Sequence, residues 1–405
     1  MYEFPHDFFW GAATSAHQVE GDNFSSDWWD YESSRKLPFF SGSACRHYDL
    51  YEEDFGLAKA LNHNCHRLSI EWSRIEPEEG RFSCEALEHY KLVISSLRKH
   101  CLEPIVTIHH FTNPLWFLKQ GGWENKRSLD YFLRYTSKVV KALSKDVRFW
   151  VTINEPLVYL YHSYLLGTWP PQEKSLIKAF KVCSNLLGAH IRSYRFIKSF
   201  YKEHNLKDSF ISVAQNLQDF APYLPTLRNK FASFLRAKLF NLNFIEKSLK
   251  AKALDFIGVN YYSRSLVELK GWGISNFIMD TCESSRSNLQ KNSLGWDIYP
   301  DGLYNILEGL KRYSLPVFIL ENGICTDDDA LRWDFIRRHL IKLSEAIASG
   351  VKVLGYIYWS LIDNYEWDKG FSPRFGLIEV DYKNFSRKIR ESAKKFSKVC
   401  LEGKI

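Results

Sequence analysis

Short apolar runs typical of β-strands recur eight times along this chain, and helical patterns separate most of them. Each run is rich in branched and aromatic residues and is bounded by polar or turn-forming ones. The clearest run alternates apolar residues from Val147 to Ile153 and stops at Asn154-Glu155-Pro156, where proline removes a backbone donor. The eight predicted strands are Phe8–Ala13, His66–Trp72, Glu103–His110, Val147–Pro156, Phe210–Asn216, Asp255–Tyr262, Pro316–Glu321 and Val351–Trp359.

Amphipathic segments with an apolar face at helical spacing lie between these strands. The predicted helices are Tyr51–Leu61, Cys84–His100, Leu129–Leu143, Ser175–Glu203, Asp301–Arg312, Ala330–Ser349 and Arg387–Leu401. A length of 405 residues fits two or three domains as well as one large one. Because strands and helices alternate without a Ser/Gly/Pro-rich linker, the sequence predicts an α/β fold with a single (β/α)8 barrel, a TIM barrel, over residues 1–405.

One segment, Tyr223–Leu254, is both basic and amphipathic. Arg228, Lys230, Arg236 and Lys238 alternate there with Phe and Leu residues, which is typical of a helix that lies on a membrane surface. The alternative, which we favour from the sequence, is an outer helix whose apolar stripe covers the barrel.

Charge and composition exclude several classes of protein. The net charge of +7 comes from 54 basic and 47 acidic residues without a concentrated basic patch, so a nucleic-acid partner is not expected. The N-terminal segment has neither the basic nor the apolar region of a signal peptide, and no apolar run approaches the length of a membrane span. The eight cysteines, including Cys282, show no metal-binding spacing, which predicts reduced, mostly buried thiols and a cytoplasmic protein without a metal or cofactor.

Polar and aromatic residues gather at the C-terminal ends of the predicted strands, where the functional face of such a barrel lies. Two carboxylates among them, Glu155 and Glu321, end the fourth and seventh strands and would face each other across the barrel. Cleavage of a glycosidic bond requires such a pair. The other residues at these ends are Gln18, Arg67, His109, His110, Asn154, Asn260, Tyr262, Trp359, Glu366 and Trp367.

Seven stretches make the chain resemble the family 1 glycoside hydrolases, the β-glucosidase family, over nearly its full length. They read FFWGAATSAHQVEG, HRLSIEWSRIEPEEG, TINEP, DFIGVNYYS, GWDIYPDGL, LENG and YWSLIDNYEWDKGFSPRFGLIEVDY, in the family's order. The resemblance implies a retaining, exo-acting β-glycosidase, most simply a β-glucosidase, that forms a covalent glycosyl-enzyme. A transglycosylase on the same site, or an inactive sugar-binding protein, is the alternative.

The resemblance also implies the roles of individual residues. Glu155 would be the general acid/base and Glu321 the nucleophile, with Arg67 and Tyr262 stabilising the Glu321 carboxylate. A structural ion pair and a core tyrosine are the alternatives for those two supporting residues. The residues expected to bind or support the sugar are Gln18, His110, Asn154, Asn260, Tyr262, Glu366 and Trp367, with Trp359 as the stacking platform.

Two aromatic residues and one histidine keep an alternative interpretation. Phe375 would close the pocket and Trp296 would line its aglycone side, but simple packing is equally compatible with both. His110 could be a core histidine, and alternation along the strand points only one of His109 and His110 inward.

Differences between this sequence and other members of the family indicate the class of substrate. Glu366-Trp367 stands where members acting on 6-phosphorylated sugars carry a serine-bearing loop, which favours a neutral hexose, either gluco- or galacto-configured. Glu155 stands where plant thioglucosidases carry glutamine, which favours an O-glycoside. Phe111 and Leu320 replace the usual Trp and Thr, and the segments Asn216–Leu254 and Ser263–Asn292 are short for the family.

Overall fold

The computed structural model describes residues 2–35, 37, 39–271, 273 and 287–405. Cys282 and part of the segment Ser263–Asn292 lie outside these residues. The other seven cysteines are free thiols. Cys45, Cys65 and Cys325 are buried, but Cys84 and Cys101 are exposed, so the expectation of mostly buried thiols holds only in part.

Eight parallel strands close into a barrel, as predicted. Around the barrel the strands follow the order β1-β10-β9-β7-β5-β4-β3-β2, and short side sheets pair β6 with β8 and β11 with β12. The strands are β1 (Phe9–Ala13), β2 (Cys65–Ser69), β3 (Glu103–His109), β4 (Phe149–Asn154), β5 (Phe210–Asn216), β6 (Asp219–Pro222), β7 (Ile257–Asn260), β8 (Arg264–Val267), β9 (Val317–Asn322), β10 (Val353–Trp359), β11 (Ile378–Val380) and β12 (Arg387–Ile389).

Helices surround the barrel and connect its strands. They are α1 (Ala16–Val19), α2 (Asp27–Arg35), α3 (His47–Ala60), α4 (Trp72–Ile75), α5 (Cys84–Lys99), α6 (Leu115–Lys119), α7 (Ser128–Leu143), α8 (Pro156–Leu160), α9 (Leu176–Glu203), α10 (Leu227–Arg236), α11 (Asn243–Lys250), α12 (Pro300–Leu310), α13 (Asp329–Ala348) and α14 (Glu391–Glu402). π-helical turns follow α8 at Tyr161–Leu166 and α10 at Ala237–Leu242.

One predicted helix begins later than expected. The prediction of a helix from Arg387 to Leu401 is wrong at its start, because Arg387–Ile389 forms β12, antiparallel to β11. The Arg387 guanidinium is fully buried against the Asp54 carboxylate, and Arg390 binds Asp363. These two ion pairs fix the segment in an extended conformation, which helical periodicity alone does not reveal.

An aromatic cluster fills the N-terminal end of the barrel and leaves the polar residues at the other end. The Phe9 ring lies 5.3 Å from that of Phe149 and 5.7 Å from that of Phe318. Phe149 also stacks on Phe210 at 5.0 Å. Since these inward-facing rings occupy the lower layers, a cleft can form only at the C-terminal ends of the strands.

Helix α10 turns its large apolar side chains to solvent. Leu227, Phe231 and Phe234 are exposed, whereas the buried positions of α10 hold Asn229, Ala232, Ser233 and Arg236. The expectation that the apolar stripe of Tyr223–Leu254 covers the barrel is therefore wrong for α10, but it holds for α11, where Phe244 and Ile245 are buried in the core. The reason is local, because α10 packs on the β6–β8 sheet, where the small Ala232 side chain clusters with Val267 and Leu269.

Candidate active site

Glu155 lies at the junction between β4 and α8. β4 ends at Asn154, and Pro156 begins α8, a position where its missing N–H costs nothing. The junction turns sharply, since Glu155 has a left-handed backbone with φ of 43°, and its amide donates to the carbonyl of Ala214 on β5. The side chain lines a cleft of about 550 Å³ at the C-terminal end of the barrel.

Glu321 reaches the same cleft from β9, and the two residues after it hold this strand end in place. The Asn322 amide donates to the carbonyl of Tyr261 at 2.6 Å. A Cβ on Gly323 would lie 1.9 Å from the carbonyl oxygen of Trp359, so only glycine allows β9 and β10 to approach this closely. The Glu-Asn-Gly sequence thus places Glu321 next to Trp359.

Two donors hold the Glu321 carboxylate, one on each oxygen. Arg67 Nη1 donates to Oε1 at 2.6 Å and the Tyr262 hydroxyl donates to Oε2 at 2.6 Å. Arg67 is buried and also donates to Asn154 Oδ1 at 2.6 Å and Thr107 Oγ1 at 3.1 Å. This guanidinium therefore connects β2, β3, β4 and β9 beneath the cleft.

Glu155 has a different environment, formed by two neutral amides. Asn260 Nδ2 donates to Oε1 at 2.8 Å, and Asn216 Nδ2 donates to the same oxygen at 3.0 Å. No role was predicted for Asn216. Its position as the last residue of β5 carries the same signal as Asn154 on β4, so it could have been predicted.

The two carboxyl groups differ in the neighbours that counteract the effect of burial on the pKa. Burial raises the pKa of Glu155 to about 8, and the charge of Glu321 adds to this effect against the two amides. Burial also raises the pKa of Glu321, but Arg67 and Tyr262 act in the opposite direction. Since only Glu321 has a cation in direct contact, Glu321 loses its proton first and Glu155 keeps its own near neutral pH.

Gln18 and Glu366 lie together at the closed end of the cleft. Gln18 Nε2 lies 3.2 Å from Glu366 Oε2, 3.0 Å from Asn364 Oδ1 and 2.9 Å from the Tyr365 carbonyl oxygen. Burial raises the pKa of Glu366 to about 8, with a further contribution from Glu321. The Gln18 amide thus fixes the loop after β10.

Only one of the two adjacent histidines enters the cleft. His109 points outward and its Nε2 lies 3.0 Å from Asn113 Oδ1. His110 lines the cleft, where its ring stacks with Trp359 at 5.9 Å and with Trp367 at 6.3 Å. Burial lowers the pKa of His110 well below its usual range, so the ring is neutral.

The open end of the cleft is largely aromatic. Trp296 is 37% exposed at the rim, and its ring lies 5.9 Å from Tyr262 and 6.4 Å from the buried Phe375. Both Trp296 and Phe375 line the cleft and pack on each other, so the two interpretations of these residues are compatible. Further lining residues, for which no role was predicted, are Val158, Tyr161, His162, Trp169, Gln218, Phe220, Arg236, Phe240 and Leu266.

Apart from His109, all predicted site residues are therefore directly on the cleft or one hydrogen bond from a residue that lines it. Across the residues described in the structure, no group of three or more His, Cys, Asp or Glu side chains could hold a metal ion. In the same part of the chain, the helices are all too short or too polar to cross a membrane.

Comparison with known proteins agrees with this geometry. Among solved structures, the β-glycosidase from Pyrococcus horikoshii is 40% identical with a TM-score of 0.94, over 100% of this chain and 96% of that one. A β-glucosidase from Thermotoga maritima in complex with glucoimidazole is 29% identical with a TM-score of 0.91, over 100% of both chains. By sequence, a 1,4-β-D-glucan glucohydrolase from Thermotoga neapolitana is 31% identical over 98% of each chain.

A family model connects these relatives to the barrel. The model described as Glycosyl hydrolase family 1 matches residues 1–250 and 236–404, a region that includes every barrel strand and both cleft carboxylates. Together with the closed parallel barrel and relatives that align along their full length, this match shows that the chain belongs to glycosyl hydrolase family 1 and is a glycoside hydrolase.

Proposed function

We propose that the chain is a retaining, exo-acting β-glucosidase that removes terminal β-D-glucosyl residues from neutral O-glycosides. The observation that carries the proposal is the asymmetry of the two buried carboxyl groups. Glu321 accepts from a guanidinium and a phenol, whereas Glu155 accepts from two amides. One group is thereby stabilised as an anion and the other as an acid, which are the forms that the first step of a retaining mechanism requires.

In the first step, a Glu321 oxygen attacks the anomeric carbon while Glu155 gives its proton to the departing glycosidic oxygen. Both amide donors of Glu155 meet Oε1, so the acidic proton belongs on Oε2. In the second step Glu155, now a carboxylate, removes a proton from water. The water then attacks the glycosyl ester of Glu321 and releases the sugar with its original configuration.

The proposed sugar site lies at the closed end of the cleft. Gln18, His110, Asn154, Glu366 and Trp367 offer hydrogen-bonding groups to hydroxyls, and Trp359 offers a flat face to the ring. Arg67 and Asn260 both donate to Asn154 Oδ1, which leaves its amide nitrogen facing His110 Nε2 at 3.2 Å. The printed names of the relatives, a glucan glucohydrolase and a β-glucosidase bound to glucoimidazole, support a gluco-configured ring.

A variant that lacks the acid tests these roles. Glu155→Gly, given a β-glucoside with a good phenolic leaving group, should release a burst of phenol and then turn over slowly. Azide needs no general base, so it should restore turnover and yield the β-glucosyl azide. If the product were the α-glucosyl azide, the roles of Glu155 and Glu321 would be the reverse of those proposed.

A second variant and a substrate panel complete the test. Glu321→Gln should lose nearly all turnover with an unchanged circular dichroism spectrum, because no covalent ester can form. On nitrophenyl β-glycosides, the glucoside should have a higher kcat/KM than the galactoside. A clear preference for the galactoside would refute the glucosidase assignment but leave the mechanism intact.

A further inference from the structure

Helix α10 and its flanking turns expose several large apolar side chains. Leu224 is 49% exposed, Leu227 86%, Phe231 57%, Phe234 63% and Leu239 41%. Within α10, positions 227, 231 and 234 are spaced by four and three residues, so their side chains lie along one face of the helix. Apolar groups of this size are normally buried, and contiguous exposure marks a site of interaction.

The same segment carries only positive charge. Between Asp219 and Glu246 the sequence contains four cations and no acidic residue. Two of these cations, Lys230 and Lys238, are exposed beside the apolar side chains. Among the described residues just after β8, Glu268 and Lys270 have opposite signs and contribute no net charge.

We propose that this surface docks on an anionic lipid bilayer at the level of the headgroups. We call it the α10 surface, and define it as Leu224, Leu227, Lys230, Phe231, Phe234, Lys238 and Leu239. Leucine and phenylalanine side chains enter the boundary of the acyl chains, and the lysine ammonium groups remain among the lipid phosphates. The inference goes beyond the proposed function and does not depend on it.

Charge argues for lipid rather than a second copy of the chain. A two-fold dimer through the α10 surface would bring the lysines of one copy towards the same acid-free surface of the other. Nothing on that surface could neutralise them, and like charges in an interface are unfavourable. A bilayer rich in anionic lipid supplies the missing negative charge.

Docking would bring the cleft close to the bilayer. Arg236, on the buried face of α10, and Phe240, in the following π-helical turn, line the cleft. Phe234 and Leu239, their neighbours in sequence, are on the α10 surface. One short segment therefore separates the open end of the cleft from the lipid.

Vesicle sedimentation of the full chain tests the proposal. The protein should sediment with phosphatidylglycerol-containing vesicles at low salt, and its partition coefficient should be at least about tenfold lower for pure phosphatidylcholine. Raising the salt concentration should weaken the binding. Leu227→Ser/Phe234→Ser and Lys230→Glu/Lys238→Glu should each lower the partition coefficient about tenfold or more.

The matched control removes two exposed leucines that lie outside the α10 surface. Leu92 on α5 is 59% exposed and Leu401 on α14 is 70% exposed. Phe396 of α14 lies 6.0 Å from Trp10 of β1, the strand opposite β5 in the barrel order. Leu92→Ser/Leu401→Ser should bind vesicles like the unchanged chain, and thermal melts verify that every variant is folded.

Three results would overturn the proposal. The first is vesicle binding that neither α10 variant reduces. The second is equal binding to anionic and neutral vesicles that is lost only in Leu227→Ser/Phe234→Ser, which would show that the lysine charges do not contribute to binding. The third is concentration-dependent dimerisation without vesicle binding, abolished by the same double substitution, which would make the α10 surface a contact between copies.

Discussion

Asn216 donates a hydrogen bond to Glu155 across 3.0 Å, from the end of β5 to the end of β4. The bond stabilises the charged form of the carboxyl group more than the neutral form. Asn216→Ala should therefore raise the pKa of Glu155 by roughly one unit, the value expected for one hydrogen bond to a charged group. The alkaline limb of the kcat/KM profile should move upward by that amount.

The control for this shift is a substrate that needs no acid. With a dinitrophenyl β-glucoside, kcat/KM should be nearly the same for Asn216→Ala and the unchanged chain. If Asn216→Ala lowered kcat/KM for both substrates equally without moving the alkaline limb, Asn216 would have only a packing role.

The unchanged chain should itself lose activity as the pH rises through about 8. Burial and the charge of Glu321 raise the pKa of Glu155 to about 8, and Glu155 donates its proton only below that value. For an alkyl β-glucoside, kcat/KM should fall tenfold per pH unit above the limb. An undiminished rate up to pH 10, which lies about two units above that limb, would contradict the role of Glu155 as acid.

Arg67→Lys should damage both activity and stability. Lysine keeps the charge but cannot reach Glu321, Asn154 and Thr107 together, so buried polar groups lose their partners. We expect the free energy of unfolding to fall by about 2–3 kcal/mol and kcat/KM to fall roughly 100-fold. Denaturant melts and steady-state rates measure the two effects.

Arg98→Lys provides the matched comparison. Arg98 pairs with Glu103 but is one-third exposed, so its replacement should cost less than about 1 kcal/mol. A similar loss of stability in both variants would show that the buried hydrogen bonds of Arg67 contribute no more to the free energy of unfolding than the partly exposed pair of Arg98.

The free β-glucoside should be a better substrate than its 6-phosphate, by roughly 100-fold in kcat/KM, because a buried phosphate needs a cation. Three described cations line the cleft. Arg264 is paired with Asp297 and Lys369 with Asp368, and the third, Arg236, is on the buried face of α10. The discrimination should grow as the pH rises through the Glu366 pKa of about 8 and this residue becomes negative. A higher kcat/KM for the 6-phosphate would refute our interpretation of the Glu366 loop.

The barrel could be predicted because its strands are apolar runs bounded by turn-forming residues, and because amphipathic helical segments alternate with them. Most of the site could be predicted for a related reason, since strand ends in this architecture converge on one cleft. Asn216 followed that rule and was overlooked because no motif drew attention to it. The short strands β6, β8, β11 and β12 have three or four residues each, too few to show a period.

The orientation of α10 could not be predicted at all. An amphipathic pattern shows that a helix has an apolar face, but not whether that face meets protein, lipid or solvent. The orientation is decided by what lies beneath α10, where the small Ala232 side chain packs with Val267 and Leu269. Only the tertiary arrangement contains that information.

The left-handed backbone at Glu155 implies a conflict between selection and folding. A side chain at φ of 43° costs about 1 kcal/mol or more that glycine would not incur. The Glu155→Gly enzyme should therefore be at least as stable as its parent, and natural selection for catalysis must hold glutamate there against a local preference for glycine. In a lineage that no longer needs to hydrolyse glycosides, we expect Glu155 to be among the first residues to be replaced.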